Sequence, residues 1–284
     1  MVTIKNEDVV CEINEIGAEI RSLKYKGNNR MWSGAPEIWG GVAPLLFPIC
    51  GGLKDDKFIF EGKEYILQKH GYARFTEFEV EKQTETAVTF LHKSNEETLK
   101  CYPFSYELRV MYTLIKDGVK VTYKVNNTDS KDMYFSIGSH EGFATPEGIE
   151  DYDVLFPEKE TLSAYMLDGN LLQKNVLPII KDTNVLPLYD KYFTVDALVF
   201  KDLKSRSATL RNRKTGKSVT VSFPGKPYFL LWHKHLAPYI CMEPWAGIQD
   251  PQDTDYDITK KEGIISLPTG KEYKVAHTIT FGEE

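Results

Sequence analysis

Strict alternation of apolar and polar residues is the most prominent pattern along the chain. Apolar side chains occupy every second position from Tyr106 to Leu114 and again from Val119 to Val125, with Asp117-Gly118 between the two runs. Since the side chains of a β-strand point alternately to its two faces, such runs predict strands that bury one face. An Asp-Gly pair between alternating runs indicates a hairpin, because both residues tolerate a positive φ. We therefore predict a β-hairpin here.

The same alternation recurs in shorter segments, at residues 78–80, 88–90, 133–137, 219–223 and 273–281. The period of 3.6 that marks an amphipathic helix is weak everywhere and never lasts beyond two turns. Two long segments, residues 32–57 and 143–190, break the alternation, and we expect irregular loops that pack over a binding face. Together these patterns predict an all-β fold, with residues 1–284 forming a single domain built as a large antiparallel β-sandwich.

Composition and charge narrow the classes of protein. The chain has 284 residues, 42% of them apolar and 12% aromatic, which is enough to bury a sizeable core in one all-β domain. The formal net charge of -6 leaves no basic surface, so nucleic acid is an unexpected partner. No apolar run approaches the roughly 20 residues that cross a bilayer, and residues 1–7 turn polar too early for a signal peptide. We therefore expect no membrane partner.

The cysteines point to a cellular compartment. The four cysteines lie far apart and form no CxxC pair, so the sequence indicates neither a zinc site nor a disulfide framework. The simplest interpretation is four reduced thiols in a cytoplasmic protein.

Three short motifs hold the candidate catalytic groups. His-Gly-Tyr-Ala-Arg contains His70 and Arg74, Gly-Ser-His ends at His140, and Glu-Pro-Trp begins at Glu243. Proline lacks a backbone donor, so Pro244 predicts that the strand ends at Glu243. The apolar neighbours of this carboxylate should desolvate it and raise its pKa toward that of a general base working near neutrality. Taken singly, each histidine is more often structural, and a lone glutamate is more often ion-paired or exposed.

Other polar residues favour structural roles. We expect hydrogen-bonded structural side chains at the remaining histidines, which are His92, His233, His235 and His277. Asp253, Asp255 and Asp257 alternate as the ligands of a calcium loop do, but they lack the glycine and distal glutamate of an EF-hand. A solvated loop is the better interpretation, and we predict no metal site.

As an ordered set in an all-β chain, the three motifs resemble the aldose 1-epimerase family, and in particular its LacX-like branch of bacterial homologues. The resemblance also covers residues 17–23, 44–48 and 196–200, and so runs nearly end to end. It implies the galactose mutarotase-like supersandwich, with long loops over a concave face that holds the active site. It further implies an isomerase that needs no cofactor and acts on a free hexose, and we expect a monomer or homodimer.

The resemblance also assigns roles. Glu243 matches the general base of the family and His140 its general acid. The residues implied to bind the substrate are His70, Asp196, Arg74 and Trp245. Of these, Trp245 would offer a flat apolar surface to the sugar, as Trp39 would, although core packing is equally open for both.

One departure from the family pattern bears on the substrate. Relatives commonly carry a sugar-binding arginine where this chain has Gly52, and some are basic where it has Gly41. Gly52 is either a vacancy or a backbone requirement with positive φ. Two alternative functions stay open, namely a hexose-6-phosphate 1-epimerase that uses Lys54, Lys57 and Arg74, and a non-catalytic carbohydrate-binding or regulatory protein.

Overall fold

The computed structural model describes residues 1–194 and 196–282, and β-strands make up most of it. In chain order the strands are β1 (Val2–Lys5), β2 (Val9–Asn14), β3 (Glu19–Tyr25), β4 (Asn28–Asn29), β5 (Leu45–Leu46), β6 (Lys57–Phe60), β7 (Lys63–Ile66), β8 (Glu79–Gln83), β9 (Ala87–Lys93), β10 (Tyr106–Ile115), β11 (Gly118–Asn127), β12 (Met133–Phe135), β13 (Ile137–Ser139), β14 (Glu141–Ala144), β15 (Tyr152–Asp168), β16 (Leu171–Pro187), β17 (Leu198–Phe200), β18 (Ser207–Asn212), β19 (Ser218–Ser222), β20 (Tyr228–Trp232), β21 (Tyr239–Ala246), β22 (Ile265–Leu267) and β23 (Glu272–Gly282). The helical elements are α1 (Glu96–Cys101) and the 3₁₀ turns η1 (Lys54–Asp56), η2 (Ala73–Phe75), η3 (Ile149–Asp151), η4 (Asp190–Phe193) and η5 (Ile258–Lys260).

One sheet of 15 strands dominates the structure. Its strands follow the order β5-β13-β21-β20-β17-β15-β18-β19-β23-β11-β10-β9-β8, with β14 paired to β21 and β16 paired to β15. A four-stranded sheet has the order β1-β2-β3-β4, and β6-β7 and β12-β22 form two small sheets. The prediction of an all-β fold around a large antiparallel sheet is therefore confirmed.

The predicted hairpin is present, but its turn differs from the expectation. Strands β10 and β11 pair in register up to Ile115 and Gly118, so the turn consists of Lys116 and Asp117. Neither Asp117 nor Gly118 has a positive φ, so the backbone argument was wrong. Glycine is required at position 118 because a Cβ there would lie 1.9 Å from the carbonyl oxygen of Ile279 on the neighbouring strand β23.

The core follows from the alternation. In β10, every second residue from Tyr106 to Leu114 is buried, and the residues between them are less buried. Each large apolar side chain that is fully removed from water contributes about 1.5–3 kcal/mol to the free energy of unfolding. The buried face of each alternating strand therefore stabilises the fold through the hydrophobic effect.

Only one of the two predicted loop regions is irregular. Residues 32–57 contain little regular structure, as expected, but residues 143–190 contain the two longest strands, β15 and β16. The prediction of a loop there was wrong for a physical reason. Several register shifts interrupt the pairing of β15 with β16, and residues 174–178 are exposed, so neither strand shows a regular two-residue period in its sequence.

Two further observations concern the chain as a whole. No helix within the described residues has the length and apolar character needed to cross a membrane. All four cysteines are free thiols, and three of them are buried.

Candidate active site

A break in strand pairing places the central residues of the site. Strand β14 pairs with β21 as far as Met242, strand β13 pairs with it from Trp245 onward, and Glu243 and Pro244 lie between. His140 is the residue between β13 and β14, so the break lies opposite Glu243. The prediction that Glu243 ends a strand was wrong. Proline is tolerated inside β21 because the neighbouring strand is interrupted at that position.

The break also brings two reactive side chains together. The Nε2 atom of His140 lies 3.4 Å from Oε1 of Glu243, and the side chains are 13% and 2% exposed. The other polar atoms of these side chains, Nδ1 of His140 and Oε2 of Glu243, are buried and have no hydrogen-bond partner among the described residues. Buried polar atoms almost always have partners. We therefore interpret these two atoms as positions where a bound molecule completes the hydrogen bonding.

Burial decides the protonation of this pair. It raises the pKa of Glu243 well above 4.5, although the positive charge of Lys69 acts in the opposite direction. Burial also lowers the pKa of His140 to about 3, and Lys69 adds to this decrease. Both directions favour a neutral imidazole beside a protonated carboxyl. A proton held by the pair in the empty site therefore resides on Glu243.

The backbone holds His70 in a defined orientation. Its main-chain N–H donates to the carbonyl oxygen of Gly51 at 2.8 Å, and the N–H of Gly51 donates to Nδ1 of the ring at 3.1 Å. Burial, followed by the repulsion that a protonated His140 would exert, lowers the pKa of His70 well below 6.5, which favours a neutral ring. Since Nδ1 accepts a hydrogen bond, Nε2 carries the proton and is the donor.

Two of the predicted binding residues have left-handed backbone conformations. The φ of His70 is 68° and that of Asp196 is 79°. Such values are uncommon outside glycine, and they concentrate at functional sites, where the surrounding structure enforces them. The adjacent Gly71 is also at positive φ, and a Cβ there would lie 2.3 Å from the carbonyl oxygen of Phe47.

These side chains surround one cavity of about 330 Å³, a volume within the range of small-molecule sites. All six residues predicted from the sequence line it, namely Glu243, His140, His70, Asp196, Arg74 and Trp245. Among the polar and aromatic side chains of the lining, the sequence analysis missed four, which are Lys69, Asn170, Trp232 and Gln249. Lys69 adjoins a recognised motif, but Asn170 and Gln249 lie outside all three motifs and gave no signal.

Aromatic rings form part of the wall. The rings of Trp39 and Trp232 lie 5.0 Å and 5.5 Å from that of His140. The indole N–H of Trp245 donates to the carbonyl oxygen of Ser139 at 3.1 Å, which fixes its ring. A Cβ at Gly41 would lie 2.7 Å from the indole of Trp39, so this tryptophan occupies the space of any larger side chain at that position.

The cavity also has a cationic side. Lys69 and Arg74 both line it, and Arg74 donates to the carbonyl oxygen of Lys69 at 3.0 Å. Within residues 1–194 and 196–282, neither side chain has a carboxylate at ion-pair distance. Lys54 and Lys57, which we also considered as phosphate ligands, do not line the cavity, and they bind the carbonyl oxygen of Gln252 and the carboxylate of Glu64.

One trio of side chains has the spacing of metal ligands. The donor atoms of His140, Cys241 and Glu243 lie within 4.8 Å of one another. However, burial raises the pKa of the Cys241 thiol well above 9.0, and metals bind the thiolate form of cysteine. The donor set therefore fits proton transfer better than metal binding, and metal independence stays a prediction.

The other polar candidates lie elsewhere. His92 contacts the hydroxyl of Tyr106, His233 and His235 contact Asp190, and His277 lies between Lys226 and Glu141. The aspartates of residues 253–257 form ion pairs with Lys174 and Lys260. None of these residues lines the cavity.

Comparison with known proteins identifies similar sequences and structures. A family model described as aldose 1-epimerase matches residues 1–275. The plasmid-encoded protein LacX of Lactococcus lactis subsp. lactis is 36% identical over 262 residues, which are 87% of this chain and 88% of LacX. A galactose mutarotase related enzyme from Lactobacillus acidophilus superimposes with a TM-score of 0.94 at 36% identity, covering 99% of this chain and 97% of that one. A galactose mutarotase-like protein from Lactobacillus casei gives a TM-score of 0.93 at 31% identity, with 99% and 100% covered.

Proposed function

Since the chain belongs to the aldose 1-epimerase family, we propose that it interconverts the α and β anomers of a free hexose. The observation that carries this proposal is the His140–Glu243 pair. Its members are 3.4 Å apart, and each has a buried polar atom without a hydrogen-bond partner among the described residues, beside a cavity of about 330 Å³. Anomerisation needs one group that accepts a proton and one that donates a proton, and this pair supplies both.

The reaction follows from proton balance. Glu243 takes the proton of the C1 hydroxyl while His140 gives a proton to the ring oxygen. The bond between C1 and the ring oxygen breaks, C1 becomes an aldehyde, and rotation about the C1–C2 bond exposes its other face. Closure reverses both transfers and restores the pair.

This assignment of roles requires the pair to hold one proton and that proton to be on His140 when the ring opens. In the empty site burial places it on Glu243, so substrate binding must favour the carboxylate. Hydrogen bonds from sugar hydroxyls to Oε2 of Glu243 would do so, and the charge of Lys69 acts in the same direction. The proton then crosses the 3.4 Å between Oε1 and Nε2.

The remaining residues hold the sugar. His70 donates from Nε2 to a sugar oxygen, Asp196 accepts from hydroxyl groups, and Trp245 covers an apolar face of the ring. Arg74 supports the same wall from beside Lys69. The proposed mechanism uses no cofactor, and free cysteines are in keeping with the proposed cytoplasmic location.

Polarimetry tests the proposal directly. Freshly dissolved α-D-glucose and α-D-galactose should lose their initial rotation faster with the protein than without it, in a buffer that itself catalyses poorly. Heat-denatured protein is the control. Equal rates with and without native protein would refute the proposed epimerase activity. Binding of the same sugars without faster anomerisation would support the non-catalytic alternative.

A hexose 6-phosphate is the second candidate substrate. Lys69 and Arg74 favour it, because both line the cavity without a carboxylate partner among the described residues. Phosphate is bound by such cationic groups. Running glucose 6-phosphate and galactose 6-phosphate in the same polarimetric assay separates the two candidates through their kcat/KM values.

A further inference from the structure

Two consecutive glycines contact two carboxamide side chains at the cavity wall. A Cβ at Gly51 would lie 2.4 Å from Cβ of Gln249, and a Cβ at Gly52 would lie 2.6 Å from Cβ of Asn170. Gly51 has a φ of 73°, whereas Gly52 is outside the left-handed region. Position 52 is thus neither an empty space nor a backbone requirement. It is glycine because Asn170 occupies the space that its side chain would need.

Both amides face the cavity, but they differ in their exposure to solvent. Gln249 is buried, and its Oε1 atom has no hydrogen-bond partner among the described residues. Asn170 is exposed, at the tip of the hairpin formed by β15 and β16. Both side chains line the cavity that holds the His140–Glu243 pair. A buried amide oxygen that lacks a partner is a position where a ligand donor fits.

The hairpin tip is fixed relative to the glycines. The N–H of Leu172 donates to the carbonyl oxygen of Asp250 at 2.9 Å, and the N–H of Asp250 donates to that of Gly52 at 2.9 Å. The carboxylate of Asp250 in turn accepts a hydrogen bond of 2.6 Å from the buried ammonium of Lys261. The main chain that carries Asn170 is therefore held in place before a ligand arrives, which reduces the entropy cost of binding.

We propose that Asn170 and Gln249 form a carboxamide pair that binds hydroxyl groups of the sugar and determines which sugars the site accepts. The proposal rests on the proposed function, namely that a sugar occupies this cavity. A carboxamide both donates and accepts hydrogen bonds, as does a hydroxyl group, and it carries no charge. A site with polar groups of this kind discriminates against an analogue that lacks the hydroxyl, because the buried amide then stays unpaired.

A cycle of variants and deoxy sugars tests the pair. The enzymes are wild type, Gln249→Leu and Asn170→Leu, with Asn175→Leu as the matched control because Asn175 is exposed on β16 outside the cavity lining. The substrates are D-glucose, D-galactose and their 2-, 3-, 4- and 6-deoxy derivatives, assayed by polarimetry. For wild type we expect KM to rise on the order of tenfold when the contacted hydroxyl is removed.

The effect of each amide substitution on KM should then depend on whether the sugar carries the hydroxyl group that the amide contacts. Gln249→Leu or Asn170→Leu should raise KM for the parent sugar by a similar factor and leave KM for that one deoxy sugar unchanged, with a smaller effect on kcat. The Asn175→Leu control should leave every value unchanged. Equal increases in KM for the parent and all deoxy sugars, or no increase at all, would overturn the proposal.

A substitute variant and a calorimetric measurement keep the outcome of this cycle interpretable. Gln249→Glu retains the shape and the acceptors but loses the donors, so it replaces Gln249→Leu if thermal denaturation shows that the leucine variant is unfolded. If wild type binds these sugars without anomerising them, the same cycle is measured by titration calorimetry. Coupling in the calorimetric data would uphold the carboxamide pair while the proposed function fails, and its absence would overturn the pair as well.

Discussion

Replacing Glu243 by glutamine removes a proton-transfer group while preserving its shape. An amide cannot take the C1 proton at neutral pH, and general acid–base groups typically contribute about 10²–10⁴-fold to the rate. We therefore expect kcat to fall at least about 100-fold, equivalent to about 2.7 kcal/mol in activation free energy. KM should change little, because the amide still accepts and donates hydrogen bonds. Glu79→Gln, an exposed change on β8, is the matched control.

The same variant should also change how stability depends on pH. Burial raises the pKa of Glu243 in the folded state, so the folded protein retains a proton that the unfolded chain releases. The stabilisation is complete below the unfolded pKa of about 4.3 and is lost as pH rises toward the folded pKa. Among described carboxyl groups whose pKa is shifted, Glu243 is the one that is raised, so the variant isolates its contribution.

The expected dependence of the free energy of unfolding on pH is large enough to measure. One proton bound by the folded state and not by the unfolded chain gives about 1.4 kcal/mol per pH unit. Relative to wild type, Glu243→Gln should therefore gain up to about 1.4 kcal/mol in free energy of unfolding between pH 5 and pH 6. Urea denaturation at both pH values, run beside polarimetry, measures the two effects. A parallel pH dependence for both proteins would refute the raised pKa, and an unchanged kcat would refute Glu243 as a catalytic group.

Four further predictions follow from the site. His140→Asn should lower kcat at least about 100-fold, whereas His70→Asn should affect both KM and kcat; mild, similar effects in steady-state kinetics would show that neither is the acid. For wild type, kcat/KM should show no titration of a histidine near pH 6.5, because burial lowers the pKa of His140 to about 3; a fall centred on pH 6.5 would contradict this. Dialysis against EDTA should leave activity intact, and a loss reversed by a divalent ion would instead indicate a metal site. Gly52→Arg should lower the melting temperature and raise KM, because its Cβ would lie 2.6 Å from that of Asn170; a lower KM in saturation kinetics would show that the hairpin tip yields without loss.

The amino-acid sequence by itself determined the class of fold and identified the residues of the three motifs. Alternation at residues 106–125 predicted β10 and β11, because a strand with one buried face carries its pattern locally. The three motifs named His70, His140 and Glu243, all of which line the cavity. Each of these inferences depends on residues that are close neighbours in the chain.

Only the tertiary structure decided how these residues are placed. Strand β16 is an exposed strand with irregular pairing, so burial leaves no regular period in its sequence. Pro244 lies within β21 because His140 interrupts the neighbouring strand, and that depends on pairing between distant segments. The same holds for Gly52, whose side-chain space belongs to Asn170 from another part of the chain. Local sequence encodes the faces of a strand, whereas contacts between distant segments and the burial they produce determine pairing breaks, cavities and pKa shifts.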